Sequence, residues 1–166
     1  MYSIWAIPSD KHRQYLSQII QELSNTFNTC KFQPHCTLWS RIDLPLKKLI
    51  PVVKSSSHGI APFTVKVKEI DHSQLYDKTL FIQLHNHENL SLLQERIQNS
   101  LGDAFHYQFD PHVSLIYKDG MSENEKLNIA DSLSIKSIFE IENIVINKTG
   151  NQIEKWKVVY KQKLKR

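Results

Sequence analysis

The amino-acid sequence predicts an α+β fold built from two similar halves. Three observations carry that expectation. Helices and strands are mixed along the chain, in the order βαβαββαβαββ. Several strands alternate apolar and charged residues: Phe63, Val65 and Val67 face one way, and Thr64, Lys66 and Lys68 the other. That is the pattern of a half-solvated antiparallel strand, not of a strand buried on both faces in a parallel sheet. Finally, strand–helix–strand–helix–strand occurs once in the first half and again in the second, as a duplicated unit would leave it.

The elements follow in order. Tyr2 to Ile7 is rich in aromatic and β-branched residues and is stopped by Pro8, so it reads as a strand. Ser9 is placed to cap a helix running to about Thr26, with Tyr15, Ile19, Leu23 and Phe27 four apart as its buried stripe. Pro34 opens a strand from His35 to Trp39. A helical segment from Pro45 to about Ser56 contains Pro51, where a break or restart is expected. Ser55 to Gly59 reads as a loop, Phe63 to Ile70 as a strand and Thr79 to Leu84 as another, with Asp71-His-Ser-Gln in the turn between them. Leu90, Leu93, Ile97 and Leu101 mark a helix from Glu88 to Leu101. Pro111 opens a strand from His112 to Tyr117. Ser122 and Glu125 form a capping box for a short helix. Ile138 to Asn147 and Glu154 to Lys163 are two closing strands joined through Gly150-Asn151, with Trp156, Val158 and Tyr160 on one face.

Composition sets the class. The chain has 166 residues, 40% hydrophobic and 23% charged, enough to bury a core without disulfides. The net charge of +4 admits an anionic ligand, but no basic run is long enough to track a phosphate backbone. The lysine-rich end, Lys161 to Arg166, reads as a solvated strand end and tail. No stretch reaches transmembrane length, and Met1 to Pro8 lacks the basic and apolar regions of a signal peptide, so a cytoplasmic protein is expected. Cys30 and Cys36 alone make neither a zinc site nor a disulfide framework, and are expected as free thiols.

Two segments carry the chemistry: Phe32-Gln-Pro-His-Cys-Thr-Leu-Trp39 and Phe109-Asp-Pro-His-Val-Ser-Leu-Ile116. Phe, Pro, His and Leu coincide, Thr37 is matched by Ser114, and each segment leads into a strand after a helix. Residues i and i+2 of a strand share a face. His35 and Thr37 therefore stand side by side, with Cys36 and Leu38 toward the core. His112 and Ser114 do the same, with Val113 and Leu115 toward the core. If the halves face each other, the cleft holds two imidazoles and two hydroxyls, an inventory that suits a phosphodiester. Hydroxyls donate to the non-bridging oxygens; one imidazole takes a proton from water and the other gives one to the leaving sugar oxygen. Neither role needs a metal.

These paired His-x-[Thr/Ser]-hydrophobic segments resemble the signatures that define the 2H phosphoesterase superfamily, and the resemblance covers nearly the whole chain. Within it, Tyr2-Ser-Ile-Trp-Ala-Ile-Pro8 with the helix that follows, Phe-x-Pro-His-x-Thr, and Pro-His-Val-Ser-Leu-Ile-Tyr117 are most similar to the cyclic phosphodiesterases of plants and fungi. The resemblance implies one bilobal domain over residues 1–166, with two pseudo-symmetric lobes of antiparallel sheet, outer helices and a central cleft. It implies hydrolysis of nucleoside 2′,3′-cyclic phosphates to 2′-phosphates and of ADP-ribose 1″,2″-cyclic phosphate, with no cofactor. By motif, His35 and His112 are the acid/base pair, with His112 activating water and His35 protonating the leaving oxygen. Thr37 and Ser114 hold the phosphate, Trp5 matches a pocket aromatic, and Tyr117 matches a tyrosine after the second motif. Strict alternation puts Tyr117 on the face opposite His112, so it contributes only if the strand ends or twists there. Tyr76 is a further candidate for stacking on a base. Fewer cysteines are present than in the plant relatives, so disulfide-based redox control is not carried over.

The remaining features read as structural. His85-Asn-His87-Glu88 contains adequate metal ligands but fits a polar loop opening a helix. His12, His58, His72 and His106 have no partner motif and are expected at the surface; Trp39 and Trp156 are expected in the core or the cleft wall. No phosphate-binding loop, dinucleotide turn or Gly-x-Ser-x-Gly elbow occurs. The expected partner is a small cyclic nucleotide or ADP-ribose cyclic phosphate, with no membrane and a monomeric state. Two rivals stand beside this reading. One is an enzyme acting on longer RNA, as a 2′,5′-phosphodiesterase, an RNA-end processing enzyme or a 2′,5′-RNA ligase-like activity. The other is a non-catalytic nucleotide or RNA binder, which would have no need of all four polar groups.

Overall fold

The computed structural model describes residues 1–102 and 107–166; His106 lies outside them. The elements are β1 (Tyr2–Pro8), α1 (Asp10–Phe27), β2 (Cys36–Ile42), α2 (Leu46–Ser57), β3 (Phe63–His72), β4 (Leu80–Leu84), α3 (Glu88–Leu101), β5 (His112–Ile116), α4 (Glu123–Ser132), β6 (Ile138–Lys148) and β7 (Lys157–Lys163). Short 3-10 turns occupy Tyr76–Lys78 and Ile153–Lys155. The predicted order is observed, and every strand pairing is antiparallel.

Strand order carries the duplication. The strands run β2-β1-β6-β3-β4-β5, with β7 beside β6. Exchanging β1, β2 and β3 for β4, β5 and β6 reverses this list onto itself, so a pseudo-two-fold relation is centred between β6 and β3. At that seam Phe63–Lys66 pair with Ile138–Ile141, and β3 then passes over to β4 from Val67 onward. The two expected sheets are thus joined into one path. Its end strands, β2 and β5, lie against each other and close the cleft.

Both end strands bear a β-bulge at the same place. Trp5 pairs with Thr37 but Ile4 with Trp39; Phe81 pairs with Ser114 but Leu80 with Ile116. An extra residue shifts the inside–outside alternation. After Ser114, Leu115 and Ile116 both enter the core, and the strand ends before Tyr117, which joins His112 at the cleft. Another bulge, where Ile146 pairs with Tyr160 but Asn147 with Val158, corrects the expected face of the last strand. Trp156 and Val158 pack with Trp5, Ile7 and Val145, whereas Tyr160 joins the main core.

Local chemistry explains the other differences. Pro51 does not break α2: it lies on the exposed side of the helix, as does Lys47, the residue whose carbonyl loses its intrahelical donor. The buried stripe of α1 is Leu16, Ile20 and Leu23; Tyr15, Ile19 and Phe27 flank it half-buried, so the apolar band is wider and rotated from the predicted one. Ser9 takes the N-cap position, but its hydroxyl meets His12 Nδ1 (3.1 Å) rather than a backbone amide. The same nitrogen accepts from the Glu140 amide (3.1 Å), so His12 ties α1 to β6 instead of standing free at the surface. Leu38, Val113, Ile144 and Ile146 of the sheet bury against Leu16, Ile20, Leu49, Val53, Leu93 and Ile97 of the helices.

The capping box at α4 is present as predicted. Ser122 Oγ accepts from the Glu125 amide (3.3 Å), and Glu125 Oε2 accepts from the Ser122 amide (2.8 Å). Ser122→Ala is expected to lower unfolding free energy by about 1 kcal/mol. A urea titration checks this, and an unchanged midpoint would show that the cap contributes nothing.

Candidate active site

The cleft is built from the two matching segments. Pro34 and Pro111 are buried and hold the chain just ahead of each histidine. His35 Nδ1 then donates to the carbonyl of Gln33 (2.6 Å), and His112 Nδ1 donates to the carbonyl of Asp110 (2.7 Å). Carbonyls only accept, so each neutral ring carries its proton on Nδ1 and keeps its Nε2 lone pair available. The same bond, two residues upstream, recurs in both halves.

Aromatic rings on the neighbouring strands buttress the imidazoles. Trp5 of β1 lies flat on His35, with centroids 3.6 Å apart and planes 16° apart. Phe81 of β4 meets His112 edge-on at 5.5 Å. Trp5 and Phe81 are the residues opposite Thr37 and Ser114 in the bulged registers, so the two supports are pseudo-equivalent.

His35, His112, Thr37, Ser114, Trp5, Tyr117 and Tyr76 all line one cavity of about 920 Å³. The structure therefore brings together all seven predicted residues, although their surroundings differ. Ser114 Oγ donates to the Asp77 carbonyl (2.9 Å) in the 3-10 turn. Trp5 is 3% exposed, with one face taken by His35; Tyr117 is 4% exposed and stacked on Phe32 at 3.9 Å. Tyr76, 45% exposed, keeps a ring accessible at the cleft, and the half-buried Trp156 lines the same cavity with its indole N–H on the Gly150 carbonyl (2.7 Å).

Burial sets the protonation states. His35 is 6% exposed, and desolvation lowers its pKa to about 4, with His112 acting in the same sense. His112 is also lowered, first by burial and then by Lys78, while its bond to Asp110 and the carboxylates of Asp110 and Asp77 oppose the shift. The Cys36 thiol behind the strand is pushed up to about 12 by burial and is no nucleophile. Cys30 and Cys36 are both free thiols.

The sequence reading missed Lys78, Asp110, Gln83 and Arg41. Lys78, Asp110 and Arg41 line the cavity, and Lys78 and Gln83 both bind the Asp110 carboxylate. Asp110 was visible as the variable position of the second segment; Lys78 and Gln83 belong to no motif. Arg41 adopts φ 58°, uncommon for a residue other than glycine, in the irregular end of β2. His87 caps α3, its Nδ1 accepting from the Asn89 amide (3.1 Å), and it stacks on Phe63. Among the described residues, no group of three or more His, Cys, Asp or Glu is placed to hold a metal ion, and no helix is long and apolar enough to cross a membrane.

Residues 1–164 match the family described as "Cyclic phosphodiesterase-like protein". The chain belongs to that family. This cyclic phosphodiesterase-like protein is 21% identical to the cyclic phosphodiesterase of Arabidopsis thaliana over 168 residues, covering 96% of this chain and 92% of that one. Its fold is that of the 2H phosphoesterases. It is similar to TT0787 of Thermus thermophilus, with a TM-score of 0.72 at 13% identity over 98% of this chain and 97% of that one. It is also similar to E. coli LigT, with a TM-score of 0.66 at 9% identity over 99% and 97%. LigT has been solved with 3′-AMP, phosphate, NADP+ and ATP.

Burying a neutral His35 couples folding to pH. The unfolded chain protonates this histidine near 6.5 and the folded one near 4, so unfolding takes up a proton between those values and stability falls as pH drops through that window. The loss amounts to on the order of 3 kcal/mol. Urea unfolding at pH 7 and pH 4.5 should show a smaller loss for His35→Gln than for the parent; equal losses would contradict the burial argument.

Proposed function

We propose that this family member is a metal-independent cyclic phosphodiesterase. It would open nucleoside 2′,3′-cyclic phosphates to 2′-phosphates, and ADP-ribose 1″,2″-cyclic phosphate, by paired histidine acid/base catalysis. One observation carries the reading: two imidazoles, each pinned at Nδ1 in the same way, line one cleft with two hydroxyls. The family and the Arabidopsis relative support the reaction class.

The chemistry follows from those groups. Water attacks phosphorus while one Nε2 accepts its proton. The bond from phosphorus to the leaving sugar oxygen breaks while the other Nε2 donates a proton to that oxygen. Cleaving the bond to O3′ leaves the phosphate on O2′. Thr37 and Ser114 donate to the non-bridging oxygens as charge builds there. Tyr76 and Trp156 are the rings best placed to meet a base, because the faces of Trp5 and Tyr117 are already covered. The cleft volume and Arg41 at its wall also admit the end of an RNA chain, so an oligonucleotide ending in a cyclic phosphate belongs in the same assay.

The test is ring opening of 2′,3′-cyclic AMP, followed by phosphorus NMR in excess chelator. The expected product is the 2′-phosphate at an unchanged rate with or without chelator. No ring opening of the mononucleotide, the oligonucleotide or ADP-ribose 1″,2″-cyclic phosphate would end the proposal. His35→Ala or His112→Ala should each lower kcat/KM by about 10²- to 10⁴-fold. A near-parental rate in either variant would remove that residue from the acid/base pair.

The hydroxyls are expected to rank. Thr37→Val should cost roughly ten- to a hundred-fold in kcat/KM, the loss of one hydrogen bond to a charged group. Ser114→Ala should cost less, because its hydroxyl must leave the Asp77 carbonyl before it can serve a phosphate. Thr37→Ser should be nearly silent. Parental activity in Thr37→Val would reduce that hydroxyl to a strand residue.

A further inference from the structure

The two halves match at the histidines but not behind them. In the second half, the Asp110 carboxylate binds the Lys78 ammonium and accepts from Gln83 Nε2 (2.9 Å). Gln83 sits opposite His112 on β4, and its Nε2 also reaches the Pro111 carbonyl (2.9 Å). Lys78 is 17% exposed, packed over the Phe81 ring at 4.0 Å. The segment Asp110-Pro111-His112 is thus held at its carboxylate, at the proline carbonyl and at the carbonyl that binds His112 Nδ1. In the first half, the pseudo-equivalent positions are Gln33 and the buried Ile7, which bear no charge.

We infer that Asp110, clamped by Lys78 and Gln83, is a positioning residue that makes the two histidines unequal and places the proton they share on His112. The inference rests on the acid/base reading above and deepens it. Charged and titratable groups face His112 from three sides: Asp77 and Lys78 from the 3-10 turn, His35 and Cys36 from the start of the first segment's strand, and Asp110 and Tyr117 along its own segment. Burial keeps the Cys36 thiol and the Tyr117 phenol protonated and uncharged. Two carboxylates and the Asp110 carbonyl then work against burial and one ammonium, so His112, although held below its ordinary value, is depressed less than His35 and takes up a proton before it. His35 has only burial and the charge of His112 against it.

The consequence is an assignment of roles. His112 Nε2 gives its proton to the leaving sugar oxygen as that P–O bond breaks, and His35 Nε2 takes the proton of the attacking water as the new O–P bond forms. Afterwards His35 releases its proton to solvent and His112 regains one. This is the reverse of the assignment that the family resemblance implies.

Histidine ring-proton NMR titrations of the free protein test the inference without needing turnover. His112 should titrate at higher pH than His35. Asp110→Asn should lower the His112 midpoint by about one pH unit, and Lys78→Met should raise it, with His35 nearly still. In the pH profile of kcat/KM for 2′,3′-cyclic AMP, the alkaline limb should move with His112 and the acid limb should stay. A His35 midpoint above that of His112, or an acid limb that moves in Asp110→Asn, would overturn the inference. So would lower activity in that variant with neither limb displaced, which would make Asp110 merely structural. A protein that opens no cyclic phosphate but titrates as expected would refute the proposed function and leave the proton placement standing.

Discussion

The cleft depends on one hydrogen bond made twice. In Gln33-Pro34-His35 and Asp110-Pro111-His112, the carbonyl two residues upstream takes the Nδ1 proton of the histidine. Proline biases the preceding residue toward an extended backbone, which fixes the direction of that carbonyl. The bond settles the tautomer and the ring orientation together, so that Nε2 is the reactive atom on both rings. A histidine free to rotate would offer either nitrogen and would need ordering at every turnover, which costs rate. The strand then supplies its hydroxyl two residues on, on the same face, with no further device.

Strand pairing does the rest. Each histidine strand ends the sheet order and pairs with only one neighbour in the sheet, β1 for β2 and β4 for β5. That neighbour contributes the aromatic residue behind the imidazole. Just past each hydroxyl the strand is bulged; in the second half this sends Leu115 and Ile116 together into the core and returns Tyr117 to the cleft. The pseudo-two-fold relation between β6 and β3 brings these two units together. The same relation makes their differences informative: an ionic clamp stands behind His112, and apolar burial stands behind His35.

Much of this was legible from residue order. The Phe-x-Pro-His-x-[Thr/Ser] segments located the histidines and hydroxyls, and alternation placed Cys36, Leu38, Val113 and Leu115 in the core. Alternation failed at the bulges, where a strand gains a residue without any glycine or proline to announce it; hence the misplaced face of Tyr160 and the difficulty over Tyr117. Pro51 misleads because proline removes one hydrogen bond from a helix without obliging it to end, and here the residues concerned, Lys47 and Pro51, lie on the exposed side. Lys78 and Gln83 were invisible because they reach Asp110 from elements far away in the sequence, and no local pattern encodes a tertiary ion pair. The covered faces of Trp5 and Tyr117 were hidden for the same reason: an aromatic residue in a motif shows that a ring is present, not which of its faces is free.

The central claim is that both halves converge on a single phosphate. The most direct measurement is a crystal structure with orthovanadate and a nucleoside bound in the cleft. The account predicts one vanadate with the Nε2 atoms of His35 and His112 on opposite sides and the Thr37 and Ser114 hydroxyls within hydrogen-bonding distance of its equatorial oxygens. Ser114 would have left the Asp77 carbonyl to reach it. A vanadate held by one histidine alone, or seated away from the hydroxyls, would contradict the account.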